Sequence, residues 1–444
     1  MSNAKVYYKK SGASGYTQID GELIRSTATG EARADIVGLS AGSYDFKIDV
    51  GSSSSDIVIS NMSITAYDRS GYAHFGYTSG VGAYKDDGTL KSDAVVVYVT
   101  EANKNTVSAN GKTGITNIMN SATSKPLVVR IIGRVTSDTK KNATTYEGKY
   151  VKINGLSEKA NSGDGTLWGQ MTVQNVKNVT LEGIGDDAEI FQWGVNFKRC
   201  NSIEVRNLTF TDYPEDACAF EGENGNESKY GNYWIHNNTF NVGKRLFDDS
   251  DDQDKKEGDG AIDIRFCHNA TYSYNYITGC HKTGLVGGGD SNLQYNLTYH
   301  HNYFKQNSSR MPLGRRANMH YYNNYFYGST STTMDLRNGA YVFSEGNYFE
   351  KCKNPAKCAS GTAVKSFNDV FSSCSGTNAA TVVNDRTKSV SNSNTISATF
   401  DTDSSKFYYN SSTKASNVTY LSSAAQAKTD CTALAGPWKA NKLG

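Results

Sequence analysis

No apolar run in this sequence approaches the roughly 20 residues that a membrane-spanning helix needs, so no membrane span is expected. An excess of charge of one sign is also missing: 46 Lys and Arg stand against 44 Asp and Glu, a formal net charge of +2. That balance provides no global field for nucleic acid or for an anionic membrane. A polyanionic ligand would need a locally basic site. The eight cysteines contain no C-x-x-C pair, which argues against a zinc site. No secretory signal peptide is expected within this sequence. The opening Met1-Ser2-Asn3-Ala4 reads as a short remnant ahead of a mature sequence, and a secreted, extracellular location is expected.

Proline is scarce too, with 5 residues against 29 Tyr. The apolar runs are dominated by Val, Ile, Thr and Tyr, which favours strands over helices, and long amphipathic helical stretches are hard to find. The composition is that of an all-β protein. An even cysteine count suits an oxidising compartment. Cys352 with Cys358 and Cys374 with Cys431 are candidate bridges, and the alternative of buried free thiols applies best to Cys200, Cys218, Cys267 and Cys280.

The middle of the chain repeats. Five segments carry two asparagines six apart around a short strand: SIEVR between Asn201 and Asn207, YWIHN between Asn232 and Asn238, ATYSY between Asn269 and Asn275, LTYHH between Asn296 and Asn302, and MHYYN between Asn318 and Asn324. A sixth ends at Asn347. The shortest spacings of the second asparagine, 302 to 324 and 324 to 347, give a unit of 22 or 23 residues with loops inserted elsewhere. Units of this length stack and bury a shared core. The asparagines at 207, 238, 275, 302, 324 and 347 should bond along the stack, and Phe240, Phe304, Phe326 and Phe349 should stack inside it. The fold expected is a right-handed parallel β-helix. A β-sandwich would place its Asn-Gly turns within the repeats, whereas here they fall between them. Residues 1–84 have a different texture, short strands punctuated by Gly and Ser, and read as a small β-sandwich-like accessory domain. Residues 85–444 would form the β-helix, opened by the runs VVVYV and PLVVRIIGRV and closed by a Ser-, Thr- and Asn-rich tail wrapped on its outside.

Three motifs lie on successive repeats. In DGAIDIRF (259–266) the apolar Ile262, Ile264 and Phe266 alternate with Asp263 and Arg265. Side chains two apart share one face of a strand, so Asp259, Asp263 and Arg265 would point to solvent together. Aligned carboxylates suit a hard cation with oxygen ligands, although an acidic face is often merely solvated. Asp216 lies earlier in the chain and could close the site from a neighbouring coil. The second motif, HKTGLVGGGD (281–290), looks like a phosphate loop only superficially, because no helix follows it. The third, RMPLGRR (310–316), places a basic strip beside the acidic one, as a polymeric carboxylate requires. Two further features read as structural: His300 and His301, adjacent in a strand, should face opposite ways, and the acidic run DDSDDQD (248–254) reads as a solvated loop.

Together with SIEVRNLTF (202–210) and NMHYYNNYF (318–326), these blocks resemble the polysaccharide lyase family that contains the extracellular pectate lyases. The likeness covers roughly residues 120 to 350. It implies Ca2+ as cofactor, held by Asp216, Asp259 and Asp263. It implies Lys282 and Arg315 as substrate-binding residues that assist catalysis, Arg265 as a further substrate contact, and Arg310 as the proton-abstracting group. The implied reaction is β-elimination on polygalacturonate by a monomer. A guanidine is a demanding base, because arginine stays protonated up to about pH 12, and nearby cations and high pH would help it. One departure stands out. Where the family has Trp-Ile-Asp-His, this chain has Trp234-Ile235-His236-Asn237, and a carboxylate near the expected metal region is lost. Two rival readings are a polygalacturonase-type hydrolase, which would need carboxylates around a water without clustered basic groups, and a non-catalytic pectin-binding protein.

Overall fold

In the computed structural model, residues 4–26, 30–51, 55–77, 79–136, 170–213, 215–242, 259–396 and 422–439 are described. The opening residues 1–3 and the acidic run 248–254 lie outside them. The chain forms two compact units: 1–68 together with 84–92, and 69–83 together with 93–440.

The first unit contains a four-stranded antiparallel sheet. Lys5–Lys10 and Gly42–Asp49 are its central strands, flanked by Thr17–Gln18 and Ile57–Ile64. A small hairpin pairs Ile24–Ser26 with Ala32–Ala34. Val6, Tyr44 and Phe46 alternate onto the buried face, as one-sided burial of a sheet requires.

The second unit is a parallel β-helix. One coil consists of Asn201–Arg206, Thr209–Thr211 and Cys218–Glu221, and the next of Gly231–His236, Thr239–Asn241 and Ile262–Arg265. Each strand pairs in parallel with its counterpart one coil on. The two opening runs pair as expected, Val95–Val99 against Leu127–Thr136. Identical positions in successive coils stack. Phe304, Phe326, Phe349 and Phe371 form a file with ring centroids 4.8, 4.5 and 4.8 Å apart, and Tyr272, Tyr299 and Tyr321 form another at 4.7 and 4.3 Å.

The asparagine ladder is present with two changes. Asn238, Asn275, Asn302 and Asn324 each donate from both backbone N and Nδ2 to Oδ1 of the next rung, at 2.9–3.1 Å, down to Asn347 at 2.8 and 2.9 Å. Asn207 is not a rung. Leu208 occupies that place and its N–H donates to Asn238, while Asn207 takes φ 55° to turn the chain, a conformation Asn tolerates. The far end is closed by Asp369, whose Oδ1 accepts from Asn347 N at 2.8 Å and Nδ2 at 3.1 Å.

The stretch 69–83 packs with the β-helix. Tyr72 N and Ala73 N donate to Thr298 Oγ1 and Thr271 Oγ1, and Gly82 N and Ala83 N to Ser202 Oγ and Thr180 Oγ1. The contact is close enough that a Cβ on Gly82, at φ 72°, would sit 2.3 Å from Thr180 Oγ1. His236 belongs to this same face. It is buried, with Nε2 3.1 Å from Glu204 Oε1 and its ring stacked on Trp234. The expected weakening of a metal region by loss of a carboxylate at 236 is therefore corrected: the side chain lies on a different sheet from the motif residues. The opposite-facing histidines are corrected too. His301 has φ 51°, which ends the strand and brings the two Nδ1 atoms to 3.0 Å.

The described part of the tail includes a helix the sequence reading missed, Ala424–Leu434. Ser423 caps it by accepting from Gln426 N, and Lys428 pins it to Glu350 at 2.5 Å. Neither candidate cysteine bridge is formed. Cys431 on this helix donates to Asn323 O, and Cys358 ends the strand Ala356–Cys358 while Cys352 follows the strand Tyr348–Glu350; all four thiols are free.

Candidate active site

The motif residues gather on one eight-stranded parallel sheet, in which Cys218–Glu221, Ile262–Arg265, Leu285–Val286, Leu313–Arg315 and Met334–Arg337 are consecutive neighbours. In Ile262–Arg265 the isoleucines are buried and Asp263 and Arg265 lie on the outer face. The registers Ile264 to Val286, Val286 to Gly314 and Gly314 to Leu336 run along the inner face. One residue further along, Arg265, Gly287, Arg315 and Arg337 therefore follow each other across the outer one.

The three expected ligands converge. Asp216 and Asp259 each place a carboxylate oxygen within 4.8 Å of the other and of Glu215, a residue the sequence reading overlooked. Asp216 Oδ1 accepts from Gly260 N at 2.9 Å. A Cβ at residue 260 would meet Asp263 Oδ1 at 2.4 Å and Asp216 Oδ1 at 2.5 Å. Only glycine lets these carboxylates come together. Asp263 Oδ1 also accepts from Leu285 N at 2.9 Å. Its carboxyl is pushed up to about 7, chiefly by burial and then by the charge of Asp259, against the pull of the Leu285 N–H, Arg310 and Arg265. Carboxylates crowded in this way are stabilised by a cation set between them, and an all-oxygen donor set matches calcium. The sequence signal for Glu215 was its place beside Asp216. The two neighbours can both reach the cluster because the strand begins only at Cys218.

The basic residues border this cluster. Lys282 donates to Asp259 Oδ1 at 3.2 Å, and its backbone bridges Gly260 on one side and Ser309 on the other. Arg310 sits one coil on, with φ 64°, and its carbonyl accepts from Gly284 N at 2.8 Å. Among the described residues, no hydrogen bond or ion pair holds its guanidinium. Arg315 donates to Gly287 O at 3.0 Å and lies 3.6 Å from Asp290. Burial, reinforced by the charges of Arg337 and Arg310, lowers its affinity for its proton below the ordinary value. Gly287, at φ 87°, has Arg315 O 3.0 Å from where a Cβ would stand, so the glycine run serves close packing beneath the arginines. Arg265 is turned aside to Glu221 at 2.9 Å. It lies on the same outer face as Asp263, whose carboxyl its charge helps to hold down. The arrangement offers oxygen ligands, two cations able to hold carboxylates, and an arginine whose guanidinium is held by no hydrogen bond among the described residues.

A family model described as pectate lyase matches residues 65–430. Pectate lyase C of Dickeya chrysanthemi is 28% identical over 301 residues, covering 67% of this chain and 72% of that protein. A pectate trisaccharide-lyase of Bacillus licheniformis is 33% identical over 221 residues, covering 48% of this chain and 59% of its own length. Among solved structures, a pectate lyase from Bacillus sp. N165 in complex with trigalacturonate has a TM-score of 0.55 at 20% identity, covering 84% of this chain and 99% of that one. Pectate lyase C from Erwinia chrysanthemi at pH 9.5 with 30 mM Ca2+ has a TM-score of 0.55 at 20% identity, covering 85% and 99%.

Proposed function

Because this chain belongs to the pectate lyase family, a family of polysaccharide lyases, we propose that it is a secreted enzyme that cleaves polygalacturonate by calcium-assisted β-elimination. What carries the reading is the Arg310 guanidinium. Among the described residues no hydrogen bond holds it, and it stands one coil from a crowded carboxylate cluster and acts on the Asp263 carboxyl.

Asp216, Asp259 and Asp263, with Glu215 beside them, would hold the calcium. Once bound, that ion supplies charge that draws electrons from a uronate carboxylate and makes the hydrogen at C5 more acidic. Lys282 and Arg315 bind and orient carboxylates of the polymer, since charge-assisted bonds of this kind are the strong ones, and Arg265 adds a contact further along the face. Arg310 takes the C5 proton at its guanidine. The electron pair left behind forms the C4–C5 double bond as the C4–O bond breaks, and the leaving oxygen takes up a proton from solvent water. A guanidine can accept a proton only in its neutral form, so activity should rise toward alkaline pH.

Charged partners left unpaired by a neutral ligand cost several kcal/mol, on the order of a hundredfold or more in rate. Demethylated pectate should therefore outrun highly methylated pectin. The test compares initial rates on both polymers, with calcium and with chelator, and identifies the products by mass. Unsaturated products formed without uptake of water, faster from pectate and abolished by chelator, are expected. Saturated products would mean hydrolysis, and faster turnover of the methylated polymer without calcium would overturn both substrate and metal.

A further inference from the structure

Cysteine occurs at two adjacent rungs of one column in the β-helix. The register of the short strands runs from Thr278 to Lys305, Lys305 to Tyr327, Tyr327 to Glu350 and Glu350 to Ser372. Two residues after each, the positions are Cys280, Asn307, Ser329, Cys352 and Cys374. Cys352 and Cys374 are therefore opposite one another on neighbouring coils. Ser375 N donates to Cys352 O at 2.9 Å, and Lys353 bridges Ser375. Both thiols point the same way: Cys352 Sγ donates to Phe326 O at 3.4 Å and Cys374 Sγ to Phe349 O at 3.6 Å. Parallel neighbours lie about 4.8 Å apart, inside the Cα separation of roughly 4.4–6.8 Å that a disulfide accepts.

The other cysteines lack this relation. Cys200 and Cys267 share a column, but the registers Asn201 to Gly231 and Gly231 to His268 put Tyr230 between them. Two strand spacings are about 9.6 Å, beyond the reach of a bridge. Cys280 faces Asn307 across its rung, and Cys431 is on the tail helix.

We propose that Cys352 and Cys374 are a modification site, where a small-molecule disulfide such as oxidised glutathione converts the two thiols into a bridge that clamps the last coils. Cys374 is partly exposed while Cys352 is fully buried, so exchange begins at Cys374. Hydrogen bonding with Cys352 and then burial raise the Cys374 thiol, so its thiolate forms at alkaline pH; that thiolate attacks one glutathione sulfur, breaks the S–S bond, and releases the first glutathione thiol. Cys352 then attacks the Cys374 sulfur of the mixed disulfide and releases the second. Two electrons pass to the small disulfide and two protons end on the two glutathiones.

The test uses the full chain, folded, incubated with oxidised glutathione and digested with trypsin without reduction. Lys351, Lys353, Lys357, Lys365 and Arg386 isolate each cysteine. The expected product joins the dipeptide of residues 352–353 to the peptide of residues 366–386, two hydrogens lighter than the sum. Thermal unfolding should show the reductant-treated chain melting lower by about 3 °C or more, a difference that Cys374→Ser removes. Free thiols at both positions, or a bridge from either to Cys358 or Cys431, would overturn the site. A bridge without a change in Tm would overturn the clamp.

Discussion

Lys282 Nζ and Asp259 Oδ1 are 3.2 Å apart, a contact between the basic strip and the metal cluster. In the proposed reaction both groups have other partners: Lys282 a substrate carboxylate, Asp259 the cation. The pair is a placeholder that substrate and calcium exchange together.

Replacing Lys282 with Met should move two quantities in opposite directions. KM for polygalacturonate should rise about 10-fold or more, the worth of a charge-assisted hydrogen bond. Calcium binding in the absence of substrate should tighten, because Asp259 loses a competing cation. Kinetics and calorimetric calcium titration read the two effects, and a parallel loss of both would show that Lys282 only props up the cluster.

If Asp263 is a calcium ligand as proposed, it should make calcium binding depend on pH. Its carboxyl in the metal-free chain is raised to about 7 from an ordinary value of 3.8. The neutral form is favoured by folding, so this group stabilises the metal-free protein at low pH and the contribution is lost as pH rises toward 7. Calcium must displace that proton. Affinity should fall about tenfold per pH unit below 7 and level off above it, and Asp263→Asn should flatten the slope while weakening binding throughout. Calcium titrations at pH 6 and pH 9 decide it; equal affinities in the unsubstituted protein would contradict the assignment.

The ladder ends in a carboxylate for which an amide should substitute well. Burial raises Asp369 to about 6 from 3.8, against hydrogen bonds from Ser344, Ser366 and Asn347. Its neutral form contributes stability that is complete below about pH 4 and lost as pH rises through about 6. Asp369→Asn keeps an acceptor for Asn347 and carries no charge. It should raise Tm by a few degrees at pH 8, on the order of 2 kcal/mol, and leave it unchanged or lower at pH 4. A lower Tm at both values would contradict this reading.

The stretch 69–83 makes the unit boundary matter. A chain beginning at Arg69 should retain turnover on soluble substrate. One beginning at Lys85 loses the backbone donors at Tyr72, Ala73, Gly82 and Ala83 that satisfy buried Thr and Ser hydroxyls, and should melt at least several degrees lower, since unpaired buried groups cost about 1–3 kcal/mol each. Equal Tm values for the two chains would contradict that role.

The repeat was legible because stacking forces like residues to recur. Asn238, Asn275, Asn302, Asn324 and Asn347 had to match for their side chains to bond, and the Phe file had to match to fill one core. Asn207 misled because a turn asparagine at positive φ looks the same in sequence as a ladder rung. Asp369 was missed because the terminal rung needs only an acceptor. The carboxylates and arginines were legible from their alternation with buried isoleucines and from a family resemblance. Glu215 and the approach of Cys374 to Cys352 were not, since they depend on where a strand begins and which coils end up adjacent.

The most direct measurement of the central claim is the ultraviolet absorbance of unsaturated product released from polygalacturonate by the unsubstituted chain and by Arg310→Lys. Lys cannot reproduce the shape and reach of the guanidinium. The account predicts steady, calcium-dependent release by the first, increasing with pH, and a loss of about 100-fold or more in the second, with an unchanged fold by circular dichroism and undiminished binding of galacturonate oligomers. A folded Arg310→Lys chain that turns over at a comparable rate would contradict it.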